Sequence, residues 1–125
     1  MMSTRTVLVS LARTAFVVAI AFTLYSALSP PSTAPGFFPW DKAQHFTAFY
    51  VLAVLGALSF PRTLSLWIGL GLSLFGGAIE LVQALPIANR DCDVFDWVAD
   101  TIGIVCALGP AVLPQVRSWI ALPRE

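Results

Sequence analysis

The chain has 125 residues, of which 58% are hydrophobic and only 11% charged, and its mean hydropathy is +0.82. Soluble domains run near a quarter charged, so this balance excludes an ordinary globular domain, and its apolarity excludes disorder. Seven basic residues offset seven acidic ones, which leaves no electrostatic footprint for nucleic acid. A chain this short cannot hide so much apolar surface in one core. It reads as an integral membrane protein.

Crossing about 30 Å of hydrocarbon takes roughly 20 helical residues. Four blocks qualify: 7–28, 43–60, 64–85 and 95–116. Prolines separate them: Pro30, Pro31, Pro35 and Pro39 after the first, Pro61 after the second, Pro86 after the third. The strict alternation of a membrane β-barrel is absent. The predicted fold is an all-α, four-transmembrane-helix antiparallel bundle forming a single domain. A rival reading takes Arg5, Arg13 and the run to Leu28 as a signal peptide cleaved near Ala27. The run is long for that, and Pro30 and Pro31 crowd the cleavage site.

Four spans put both termini on the side of the Pro61–Arg62 turn. That side holds Arg5, Arg13, Arg62, Arg117 and Arg124, against Lys42 and Arg90 on the other. The excess predicts cytoplasmic termini. Trp40 and Trp97 then fall at the outer level, Trp67 and Trp119 at the inner one, where aromatic belts form.

The remaining polar residues are unevenly placed. Asp41, Lys42, Gln44, His45, Glu80, Gln83, Arg90, Asp91, Asp93, Asp96 and Asp100 all map to the outer half. Ionisable groups at membrane depth are unfavourable unless they face the bundle interior and pair. His45 lies one turn past Asp41 and shares its face, about 6 Å further along the axis. Glu80 and Gln83 share a face of the third helix, with Glu80 roughly 9 Å in from its end. Asp93, Asp96 and Asp100 form a stripe on the fourth helix. Matching depths predict that the three stripes face one another, with His45 and Glu80 interacting directly or through a bound group.

Blander roles compete for several of these residues. Asp41 with Gln44 reads as a capping box, Asp93 with Asp96 as a looser one, and Arg90 suits a helix C-terminus. Glu80 and His45 lie at no helix end, which leaves a binding role or a buried ion pair. Gly69, Ser73 and Gly77 repeat every fourth residue, with Gly76 beside them, and Gly103 with Ala107 forms a shorter seam. Cys92 and Cys106 lie about 21 Å apart along a continuous helix, beyond disulfide reach. Free thiols are expected, and a homo-oligomer bridged through Cys92 stays open.

The stretch Asp41-Lys42-Ala43-Gln44-His45-Phe46-Thr47-Ala48-Phe49 resembles the first signature of VanZ-like membrane proteins. Glu80-Leu81-Val82-Gln83 resembles their second, a Glu-x-x-Gln ending the third helix. Arg90, Asp93, Asp96-Trp97-Val98-Ala99-Asp100 and Gly103 resemble the third, although members often carry Asn at the position of Asp100. Order and spacing agree from about Pro39 to Gly103. The family's founding member is tied to lowered susceptibility to a teicoplanin-type glycopeptide. For this chain the resemblance implies a bacterial inner-membrane protein with an envelope-related role at the outer leaflet.

Three mechanisms fit the outer cluster of Asp41, Lys42, His45, Glu80, Gln83, Arg90, Asp93, Asp96 and Asp100. The first is binding of an anionic lipid head group or cell-wall precursor at the N-termini of the second and fourth helices, beside Lys42, His45 and Arg90. The second is hydrolysis or group transfer on a lipid-linked substrate, with His45 as base or nucleophile and Glu80 or Asp96 in support. The third is a divalent cation held by one His and several carboxylates, where oxygen-rich ligation favours magnesium, calcium or manganese. A lone His makes zinc a poor fit. No resident cofactor is expected. A purely structural or partner-binding subunit is the remaining class.

Overall fold

A computed structural model of the chain describes residues 1–30, 36, 39–88 and 90–121, with the side chains of Val116, Trp119 and Ala121 excepted. Pro31, Pro35, Arg124 and the Trp119 side chain therefore lie outside the described residues. The described chain is all-helical: α1 Thr4–Leu28, α2 Asp41–Ser59, α3 Ser65–Gln83, a 3₁₀ turn Pro86–Ala88, and α4 Val94–Ala121. Each predicted block is found, with ends shifted by a few residues. The fourth helix runs furthest past its expected end, to Ala121, and it contains Pro110 and Pro114. Each proline removes one backbone donor but leaves the helical path open.

Three helices are long and apolar enough to cross a membrane: Thr4–Leu28, Ser65–Gln83 and Val94–Gln115. Helix α2, expected as a fourth, is not among them. Its first two turns carry Asp41, Lys42, Gln44 and His45, and these lower its mean hydropathy. Its position compensates for that polarity. All three other helices pack against α2, and its broadest interface is with α4.

Cross-helix hydrogen bonds set the directions. Gln83 at the end of α3 donates to the Ala27 carbonyl at the end of α1, and Lys42 at the start of α2 reaches Asp93 and Asp96 at the start of α4. Helices α2 and α4 thus run parallel, opposite to α1 and α3. The expected antiparallel arrangement holds for chain neighbours, yet the broadest interface joins two parallel helices.

Glycine permits that interface. A Cβ on Gly103 would collide with the backbone carbonyl of Phe46, so α2 and α4 approach backbone to backbone. The core beside this crossing is Phe49, Leu52, Ala53, Leu72, Ile79, Ile104 and Leu108. The predicted Gly69–Ser73–Gly77 seam is the α3–α4 contact. Gly69 faces Ile104 and Leu108, Ser73 Oγ lies 3.0 Å from Thr101 Oγ1, and Gly77 faces the Trp97 indole. Trp97 also donates to the Ser73 carbonyl at 3.0 Å, so it serves packing as well as any interfacial role. Helix α1 has no buried residue and closes only one side of the bundle.

Candidate functional site

The close α2–α4 crossing brings His45, next to Phe46, against Asp100, one turn before Gly103. His45 Nδ1 lies 2.8 Å from Asp100 Oδ1. Asp100 is 1% exposed, and a Cβ on Gly76 would sit 2.7 Å from its other oxygen. Gly76 of α3 therefore makes the space the carboxylate occupies. In the tautomer with the proton on Nδ1, that proton is donated to Asp100, and Nε2 keeps its lone pair.

Nε2 faces two further carboxylates, Asp96 Oδ2 at 3.6 Å and Asp41 Oδ2 at 3.8 Å. These separations are too long for hydrogen bonds. They suit three ligands around one ion, since donors bound at about 2.1 Å sit roughly 3 Å or more apart. Ligand atoms of Asp41, His45 and Asp96 all lie within 4.8 Å of one another. These three side chains are the described residues that could hold a divalent cation.

Lys42 Nζ binds Asp93 Oδ2 at 2.8 Å and Asp96 Oδ1 at 3.1 Å. That ammonium, with the Phe95 amide 2.9 Å from Asp93 Oδ1, holds the Asp93 carboxyl below the usual aspartate range. Asp93 also caps α4, as expected. Asp41 does not cap α2. Trp40 is the N-cap residue, with no side-chain cap bond, and Asp41 sits inside the first turn facing His45.

The structure divides the predicted cluster. Asp41, Lys42, His45, Asp93, Asp96 and Asp100 converge between α2 and α4. Gln83 and Arg90 instead fasten the end of α1, through the Ala27 carbonyl at 2.7 Å and the Ser29 carbonyl at 2.8 Å. Glu80 is not hydrogen-bonded to His45. It is 5% exposed, and its Oε2 accepts the Asp93 backbone N–H at 3.2 Å. Cys92 and Cys106 are free thiols, as expected. The Cys92 thiol, beside Glu80, is pushed up by partial desolvation and then by that carboxylate.

Beside the cluster, α1 and α2 enclose a cleft of about 690 Å³. Asp41, Gln44, His45, Arg90 and Asp100 line its polar end, and Phe22, Ala48, Val51 and Leu52 its apolar wall. Sequence reading missed the α1 contribution, Phe22, Thr23 and Ser26. The only sign of it is Thr23 and Ser26 at helical spacing in an otherwise apolar run.

No family model, curated protein or solved structure matches the chain.

Proposed function

We propose that the protein is a four-span, VanZ-like inner-membrane protein whose outer-facing cleft binds a lipid-borne envelope component. The ligand's polar head would sit at Asp41, His45 and Arg90, and its chain would lie along Phe22, Ala48, Val51 and Leu52. The carrying observation is the cleft itself, polar at one end and apolar along its wall. Ligand sites are mostly apolar with a few placed polar groups, and this one opens where a head group meets an acyl region. The exposed residues Val17, Val18, Leu74, Ile102 and Val105 give the bundle the apolar surface that lipid requires. In this arrangement α2 spans behind its three neighbours.

Charge narrows the head group. Lys42 is already paired with two carboxylates, and Arg90 is tied to the Ser29 carbonyl. A head bearing hydroxyls or amines meets Asp41 directly, as a sugar of a cell-wall precursor would. A phosphate needs a divalent cation on Asp41, His45 and Asp96 to offset those acids. Direct anion capture at the two helix N-termini is the weakest form, because Asp41, Asp93 and Asp96 already occupy them.

A second reading, hydrolysis or transfer on the bound lipid, is favoured by one contact. Asp100 holds His45 as an orienting carboxylate holds a general base, leaving Nε2 toward the head-group position. In that reading the orienting group is Asp100 rather than Glu80 or Asp96.

Native mass spectrometry of the purified protein with lipid identification tests the binding reading. A retained lipid-borne species is expected in the wild type and lost in Ala48→Trp, whose indole fills the cleft. Equal retention in both would overturn it and leave a structural or partner-binding subunit. Conversion of the bound species by wild type but not by His45→Ala selects the catalytic form.

A further inference from the structure

The opposite end of the bundle carries a second concave site. A cavity of about 500 Å³ lies between the start of α1 and the α2–α3 turn. Arg5, Arg13 and Arg62 line it, together with the hydroxyls of Ser3, Thr6, Ser10 and Thr63. Among the described residues, no carboxylate lines it. Its apolar floor is Val9, Phe60 and Pro61.

The arrangement follows from spacing. Arg5, Val9 and Arg13 recur every fourth residue, so they share one face of α1, and Arg5 and Arg13 stand about 12 Å apart along the axis. Arg13 is fixed: its Nε donates to the Ser59 carbonyl at 3.0 Å, and its guanidinium lies 5.8 Å from the Phe60 ring centroid. Among the described residues, Arg5 and Arg62 have no hydrogen-bond or ion-pair partner. Helix α1 begins at Thr4, between the lining residues Ser3 and Arg5, so its positive end adds to the field.

We propose that this cavity binds a phosphate-bearing anion, at a site separate from the outer cleft. Three guanidiniums offer the forked donors that match phosphate oxygens, hydroxyls complete the donor set, and no acidic side chain among the described lining residues competes. Topology needs positive charge on this side but does not need it arranged around a cavity. The apolar floor accepts the glycerol end of a lipid or stays uncovered beneath a free phosphate.

The test uses full-length protein in detergent, with phosphatidylglycerol or phosphatidylcholine added and adducts counted by native mass spectrometry. Phosphatidylglycerol should be retained over phosphatidylcholine. Arg5→Gln and Arg62→Gln should each lower that retention about fivefold, whereas Arg117→Gln, the same charge change on α4 outside the cavity, should leave it unchanged. A parallel titration with inorganic phosphate separates the sources. If phosphate raises the melting temperature of wild type but not of Arg62→Gln, and phosphatidylglycerol adds nothing, the ligand is free phosphate. Preference for phosphatidylglycerol without a phosphate effect makes it a lipid head group. Equal loss in Arg117→Gln, or no response to either probe, overturns the proposal.

Discussion

His45 is the residue on which the outer site turns, and its partner is Asp100. The contact at 2.8 Å predicts that His45→Ala and Asp100→Asn are strongly coupled in a double-mutant cycle of stability, by about 0.5–3 kcal/mol. The His45 and Glu80 pair should couple less, because no hydrogen bond joins them. Larger coupling to Glu80 than to Asp100 would refute this pairing. Asp93 gives a pH-dependent test. Its native pKa is lowered by Lys42, so its contribution is full above the ordinary value near pH 4 and fades as pH falls through the lowered value. With 41% of its side chain exposed, the contribution is small. Lys42→Met should return the Asp93 titration, followed by carboxyl NMR, toward the ordinary aspartate value; an unmoved titration would show that the ammonium is not its cause. All these acids and bases were legible as a cluster from spacing and depth. Which oxygen meets which nitrogen was not, because helical periodicity assigns a face and leaves the facing helix undetermined.

At the scale of helices, glycines decide how close the site can be drawn together. Gly103→Ala sets a methyl group against the Phe46 carbonyl, and backbone cannot rotate away as a side chain can. A loss of about 1–3 kcal/mol or more is expected in thermal or denaturant unfolding; a wild-type melting profile would mean that α2 and α4 do not approach there. Gly76→Ala acts differently, since the nearest atom it meets is the end of the Asp100 side chain, with the Phe49 ring next at 3.3 Å. Its effect should fall on the His45–Asp100 contact more than on the fold. At Gly77 a Cβ has room, 3.5 Å from the Trp97 indole, but a leucine there would displace the bond from Trp97 to Ser73. The Gly69–Gly77 seam was visible as a four-residue repeat. Gly103 was visible only as a small residue, since nothing in the chain states that its partner is backbone.

The bundle has an acidic end, where α2 and α4 begin, and an arginine-rich end, where α1 begins and α2 turns into α3. Composition and the four apolar blocks made the helices legible. The parallel α2–α4 pairing was not, because it depends on a crossing between segments about fifty residues apart. Orientation is checked at Cys92, exposed in the loop before α4. An impermeant maleimide, used above neutral pH because the thiol is pushed up, should label it on intact cells. Labelling only after permeabilisation would place the cluster in the cytoplasm. The cleft itself is tested most directly by a photo-crosslinking amino acid at Thr47, an exposed residue lining it, compared with the same group at Leu74, which is 76% exposed on the outer face of α3. Binding in the cleft predicts a distinct lipid-borne adduct at Thr47 that is absent at Leu74 and lost when Ala48→Trp fills the space; identical adducts at the two positions, unchanged by Ala48→Trp, would contradict it.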